Sequence, residues 1–171
     1  MTKESIPVGL AKQSLEKYLT RREVLKAPAE LPAEFQGRAG AFVSLKKNGQ
    51  LRGCIGTFGA TKPTIADEII ANAISAATQD PRFPPVQYAE LAELSVSVDI
   101  LSEPEQVKGL EDLDQRQYGV IVRRGGRTGL LLPDLEGVDS VQDQVAIARQ
   151  KAGIAPDETI ELYRFSVTRY T

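Results

Sequence analysis

The chain has 171 residues, 42% hydrophobic and 26% charged, with a formal net charge of −2, proportions that fit a soluble globular chain and exclude disordered or collagen-like classes. So small a net charge gives no global field for drawing in nucleic acid, so a polyanion site has to be a local patch. The absence of histidine removes Cys–His and Ser–His–Asp catalysis and most zinc and iron sites.

From about Val8 to Lys26, Leu10, Leu15, Tyr18, Leu19 and Leu25 recur near helical spacing, which predicts a packing helix. "APAELPAEFQGRAG" mixes prolines with glycines and predicts a loop. "AFVSLKKNGQLRGCIG" is two strand-like runs around Asn48-Gly49, the pair that best tolerates the positive φ angles of a type I′ hairpin turn. A two-residue turn there pairs Lys47 with Gln50, Leu45 with Arg52 and Val43 with Cys54. Val43, Leu45, Arg52 and Cys54 then share one face, and Phe42, Ser44, Leu51, Gly53 and Ile55 the other. From Pro63 to Gln79 the spacing of Ile65, Ile69, Ile70, Ala73, Ile74 and Ala77 predicts a helix with proline in its first turn, stopped by "DPRFPP". Leu94, Val96, Val98 and Ile100 alternate with polar residues as in a half-buried strand.

The second half repeats this order. "YGVIVRR" and "RTGLLLP" flank Gly125-Gly126 as a hairpin. Val141, Val145, Ala148 and Ala152 predict a helix opened by Ser140 and stopped by Gly153. "TIELYRFSVTRY" predicts a last strand whose apolar parity shifts near Tyr163 to Phe165, as at a bulge. The expected fold is α+β, with helices packed on mostly antiparallel sheet and a candidate ββαβ duplication, in a length that fits one compact domain or two subdomains sharing a core.

The only cysteine, Cys54, rules out an intrachain disulfide; the start "MTKESIPVGLAKQSLEKY" has no apolar stretch of signal-peptide length, and no segment reaches membrane-span length. A cytoplasmic protein is expected. "GAFVSLKKNGQLRGCIGTF", "NAISAATQDPRFPP", "GLLLP" and "RQKAGI" closely resemble the AMMECR domain family, from about Gly40 to the C-terminus, with "LRGCIG" the most specific part. The resemblance implies one AMMECR-type domain over 1–171, residues 1–39 forming an N-terminal helix and loop before the family-like core of 40–171. It implies two α+β subdomains, kinship to folds that bind nucleic acids, nucleotides or peptides, and an association with a MEMO-like protein and a radical SAM protein in the AmmeMemoRadiSam system. It supplies no established reaction. Some relatives carry His and Cys in the segment matching "AIARQKAGI", where this chain has neither.

Two readings of Cys54 stand side by side. Arg52 on the same strand could lower the thiol pKa and make the pair catalytic, or Cys54 is a small buried side chain. Glycines flanking a cysteine in a strand call for a steric reason, either a ligand or another backbone against it, which favours binding over covalent catalysis. The candidate binding residues are Leu51, Arg52, Gly53, Cys54, Ile55 and Gly56, with Lys46 and Arg82 as nearby cations. The basic residues Lys46, Lys47 and Arg52 on the first hairpin, and Arg123, Arg124 and Arg127 on the second, would make an anion site if the hairpins lay together. The alternative is solvated turn tips that protect sheet edges. In "DPRF", Asp80 either orients Arg82 or ends the helix before Pro81. No metal-ligand spacing, Walker motif, GxGxxG or CxxC is present, so neither a metal nor a cofactor is expected. Three functions compete: a ligand- or partner-binding component of a modification pathway, a Cys54-dependent enzyme acting on a nucleotide or nucleic acid, and a pure protein-interaction domain.

Overall fold

Asn48 and Gly49 both take positive φ, 52° and 77°, as the type I′ turn demands, and they join β1 (Ala41–Lys47) to β2 (Gln50–Gly56) in an antiparallel hairpin. The computed structural model describes residues 3–171, so Met1 and Thr2 of the single-domain reading lie outside it. In chain order the other elements are α1 (Ile6–Arg21), α2 (Ile65–Thr78), β3 (Leu94–Leu101), β4 (Glu105–Val107), β5 (Gly119–Arg124), β6 (Arg127–Leu131), α3 (Val141–Ala152), β7 (Glu161–Phe165) and β8 (Val167–Tyr170). The α+β expectation holds, with two four-stranded sheets in two compact units.

The first unit comprises residues up to Leu101 together with Thr168–Thr171, and its sheet has the order β2-β1-β3-β8. α2 starts where the Thr64 hydroxyl accepts the Asp67 N–H, a cap typically worth about 1 kcal/mol. Its Ile69, Ala73 and Ala76 pack on Val43, Leu45 and Val98, all fully buried. α1 lies beside α2 and over β3, adding Val8, Leu10, Ala11 and Leu15 to the same core. It ends at Arg21, short of the predicted Lys26, because Arg22 turns left-handed at φ 58° and returns its N–H to the Tyr18 carbonyl.

The second unit, Ser102–Val167, has the order β4-β7-β5-β6 with α3 on one face. Ser140 caps α3 and Gly153, at φ 70°, stops it. Gly125 alone of its pair has positive φ, 58°, the pattern expected of a type II′ turn. The ββαβ duplication is visible in these two sheets: each unit pairs a central strand with its hairpin partner on one side and with the strand after the helix on the other.

Two further sequence expectations need correction. The single last strand with a bulge is two strands in different sheets: β7 joins the second sheet and β8, after Ser166, the first. The parity shift marks a change of sheet, each strand facing its own core. The hairpin register also differs. Lys46 pairs with Leu51 but Leu45 with Gly53, so Arg52 is an unpaired bulge residue and everything beyond it shifts by one. Cys54 stands opposite Ser44, not Val43, and Gly53 joins Leu45 and Val43 on the helix side. A one-residue slip exchanges the faces of a strand, and the bulge supplies that slip.

Candidate functional site

The geometry around LRGCIG answers the question its glycines raise. A Cβ on Gly53 would overlap the carbonyl oxygen of Ala76 in α2, so a helix backbone is what presses on the strand here. Gly56 has a different neighbour: a Cβ would run into the ring of Phe42, its cross-strand partner. The second unit has the same helix–strand device, since a Cβ on Gly129 in β6 would overlap the Ala148 carbonyl of α3.

Cys54 faces away from the helices. Its Sγ lies 3.2 Å from the Ser44 hydroxyl, and it is partly buried. Burial pushes the thiol pKa up, and the Ser44 hydrogen bond and the Arg82 charge only partly oppose this. The group is therefore a protonated thiol near neutral pH, the reverse of what a nucleophile requires.

Arg52 is not the cation beside it. The bulge turns Arg52 toward the loop between α2 and β3, where Nε and Nη2 donate to the Glu90 carboxylate at 3.0 and 3.2 Å and Nη1 donates to the Pro84 carbonyl at 2.8 Å. Lys47 adds ion pairs to Glu90 and Glu93. Glu90 also accepts the Gln87 N–H at 2.8 Å, closing a capping box at the 3-10 turn Tyr88–Glu93. That backbone bond, followed by Arg52, holds its carboxyl at about 2, below the usual range.

The cation that does approach the hexapeptide is Arg82. Its guanidinium forks onto Asp80, Nε to Oδ1 at 3.0 Å and Nη2 to Oδ2 at 2.8 Å, and Nη2 reaches the Cys54 carbonyl at 3.5 Å. Asp80 itself is buried, accepts the Cys54 N–H at 3.0 Å, and has its pKa driven far below the carboxylate range chiefly by Arg82. β2 is an edge strand, so the pair serves the exposed backbone of Cys54 as a neighbouring strand would. Asp80 thus orients Arg82, one of the two roles the sequence left open for it.

In strand register, Cys54, Ser44 and Ser97 form one row across β2, β1 and β3, and Gly56, Phe42 and Asp99 the next. Asp99 is buried and takes a bidentate fork from Arg169 of β8 at 2.7 and 2.8 Å. The sheet face opposite the helices therefore carries a thiol, hydroxyls and a carboxylate–guanidinium pair. Sequence reasoning missed Glu90, Ser44, Asp99 and Arg169. The Gln87-x-x-Glu90 spacing could have suggested a cap, but Arg169 lies far from Asp99 in the chain and no local signal links them.

Of the other candidates, Leu51 and Lys46 are exposed on the hairpin and Ile55 packs on the first core. Lys47 and Arg52 of the first hairpin and the three arginines of the second are engaged within their own units. Arg124 and Arg127 pair with Glu158, and the Arg123 guanidinium sits over the Tyr163 ring. No group of three or more His, Cys, Asp or Glu able to hold a metal occurs among the described residues. No helix among them is long and apolar enough to cross a membrane.

Two open grooves lie elsewhere, and none of the sequence-nominated residues lines either. One of about 510 Å³, in the first unit, runs between α1 and the Tyr88–Glu93 turn. The other, of about 810 Å³, flanks α3 in the second unit and is mostly apolar, with Val145, Ile154, Ile160 and Leu162 among its walls.

A family model described as AMMECR1 matches residues 8–170, reaching back through α1, where the sequence resemblance began near Gly40. A protein of Thermotoga maritima is 55% identical over 159 residues, 91% of each chain. One of Clostridium acetobutylicum is 48% identical over 165 residues, which is 95% of this chain but 35% of the relative. The crystal structure of an uncharacterised protein from Pyrococcus horikoshii matches with a TM-score of 0.89 at 32% identity, covering 95% of this chain and 88% of that one.

Proposed function

The chain belongs to the AMMECR1 family, and on that premise we propose that it is a partner- or ligand-binding component of a modification pathway, working with a MEMO-like protein and a radical SAM protein. The observation that carries this reading is the state of Cys54. Its thiol is kept protonated by burial, its hydroxyl neighbour Ser44 is no base, and Arg52 is committed to Glu90 and Pro84. Such a site positions groups without activating one. The length of the Clostridium acetobutylicum relative adds support, because there the matching stretch is about a third of the chain and the domain is joined to further polypeptide. The face of the hexapeptide Leu51 to Gly56 turned away from the helices, with Arg82 fixed beside it and Lys46 on the hairpin, is the binding surface this reading nominates. The pathway reading carries with it a cytoplasmic setting, in which Cys54 stays reduced.

The test is affinity capture of the native chain from its own cells, with mass spectrometry of proteins and small molecules together. A MEMO-like or radical SAM protein recovered with the native chain, and retained with Cys54→Ala, supports the reading. Rapid alkylation of Cys54 at neutral pH, with a Cys54→Ser chain folded but functionally dead, would transfer the role to thiol catalysis on a nucleotide or nucleic acid.

A further inference from the structure

The two units share a row of equivalent positions that allows one to be read against the other. In the first, Gly53 lies under the Ala76 carbonyl of α2, pairs with Leu45, and Leu45 pairs with Val96. In the second, Gly129 lies under the Ala148 carbonyl of α3, pairs with Val122, and Val122 pairs with Leu162. β2, β1 and β3 thus correspond to β6, β5 and β7, and α2 to α3. The third position of the row differs in its cover. Val96 is buried, with α1 lying beside α2 and over β3. Leu162 is only half-buried, because α3 is the only α-helix of the second unit. The groove of about 810 Å³ lies in the place that α1 fills in the first unit, walled by Val145, Ala146 and Arg149 of α3, by Ile160 and Leu162 at β7, and by Leu110 across from them.

We infer that this groove is the docking site for an amphipathic α-helix of a partner protein, seated on β7 beside α3 as α1 is seated on β3 beside α2. The internal copy identifies the shape of the occupant. α1 has 16 residues and buries Val8, Leu10, Ala11 and Leu15, the stripe that helix-in-groove recognition uses. The charge of the occupant follows from the wall. Arg149 is the only charged side chain lining the groove, and its Nη1 donates to two backbone carbonyls, of Ala155 and Glu158. A carboxylate on the docked helix would complement it. The inference rests on the partner-binding reading but concerns a surface separate from the hexapeptide.

The experiment selects 16-residue helical peptides from a displayed random library against the full chain. Recovered peptides are then titrated against the chain and two variants, Ala146→Glu and Gln150→Glu, at exposed groove positions. The expected binders carry apolar residues at i, i+3 or i+4 and i+7 and an Asp or Glu at one end. Their affinity falls at least about tenfold, about 1.4 kcal/mol, in either variant that keeps native circular dichroism and melting temperature, and likewise when the peptide acid becomes Lys. The inference is overturned if no binder is sensitive to the groove variants, if native mass spectrometry finds a small molecule bound there, or if the chain sediments as a dimer that Ala146→Glu dissociates. Cellular capture separates the two ideas: partners retained by Ala146→Glu leave the partner-binding reading standing while the groove fails.

Discussion

At Gly53 the cost of a methyl group is set by a backbone atom that cannot move aside. The Ala76 carbonyl is fixed in the α2 ladder, so Gly53→Ala must push helix and strand apart, and a loss of about 3 kcal/mol is expected in chemical denaturation. Gly129→Ala should cost a similar amount through Ala148. Gly126→Ala meets open space at a φ that is not positive, and should stay within about 0.5 kcal/mol of the native chain. Equal effects at the three positions would remove the packing explanation. Cys54→Ser replaces a thiol that already has a hydroxyl partner, so about 1 kcal/mol or less is expected. Alkylation of native Cys54 at pH 7 should be slower than that of an unfolded control, because burial raises the thiol pKa. LRGCIG was legible as a crowded segment because glycine has few other uses inside a strand. What crowds it was not legible, since Ala76 is distant in sequence.

At the level of elements, the loop between α2 and β3 is tied to β2 through two carboxylates. Asp80→Asn should cost about 1 to 3 kcal/mol, because the fork from Arg82 and the bond from the Cys54 N–H both lose a charged acceptor. In a double-mutant cycle with Arg82→Ala the losses should be clearly less than additive. The acid side of the stability profile has a definite sign. Glu90 titrates at about 2 in the folded chain, and an unfolded glutamate near 4.3. Its contribution is therefore complete above about pH 5 and is lost as the pH falls toward 2. Glu90→Gln should flatten the fall in stability over that window, measured by denaturation at successive pH values. An unchanged slope would mean that neither the Gln87 N–H bond nor the Arg52 pair favours the folded carboxylate. The hairpin turns and helix caps could be read from sequence because Asn48-Gly49, Ser140 and Gly153 act on their own neighbours. The bulge at Arg52 could not, because the groups that meet Arg52 and Gly53 (Glu90, Pro84 and the Ala76 carbonyl) lie far along the chain.

On the scale of the whole molecule, the chain is built twice from one ββαβ plan and then tied back at its end, where β8 returns to the first sheet. Deleting residues 167–171 removes that edge strand and leaves buried Asp99 without the Arg169 fork. Stability of the first unit should fall by about 3 kcal/mol or more, because the edge pairing and the ion pair are lost together, read as lost amide protection in β1 and β3. Nonspecific duplex DNA should bind no tighter than about 10⁻⁴ M at physiological salt, because the net charge is −2 and most hairpin cations already hold carboxylates. Tight, salt-sensitive binding in a titration would contradict this. Turn sites, helix faces and the order of elements were readable from the chain, because each is set by residues within a few positions of one another, and the repeated plan follows from their order. Long-range contacts set the rest: Arg52 serves Glu90, Gly53 lies under Ala76, the last apolar run divides between two sheets, and the second unit packs a single α-helix on its sheet. Those outcomes depend on which surfaces meet, and surfaces that meet are assembled from segments far apart in the chain.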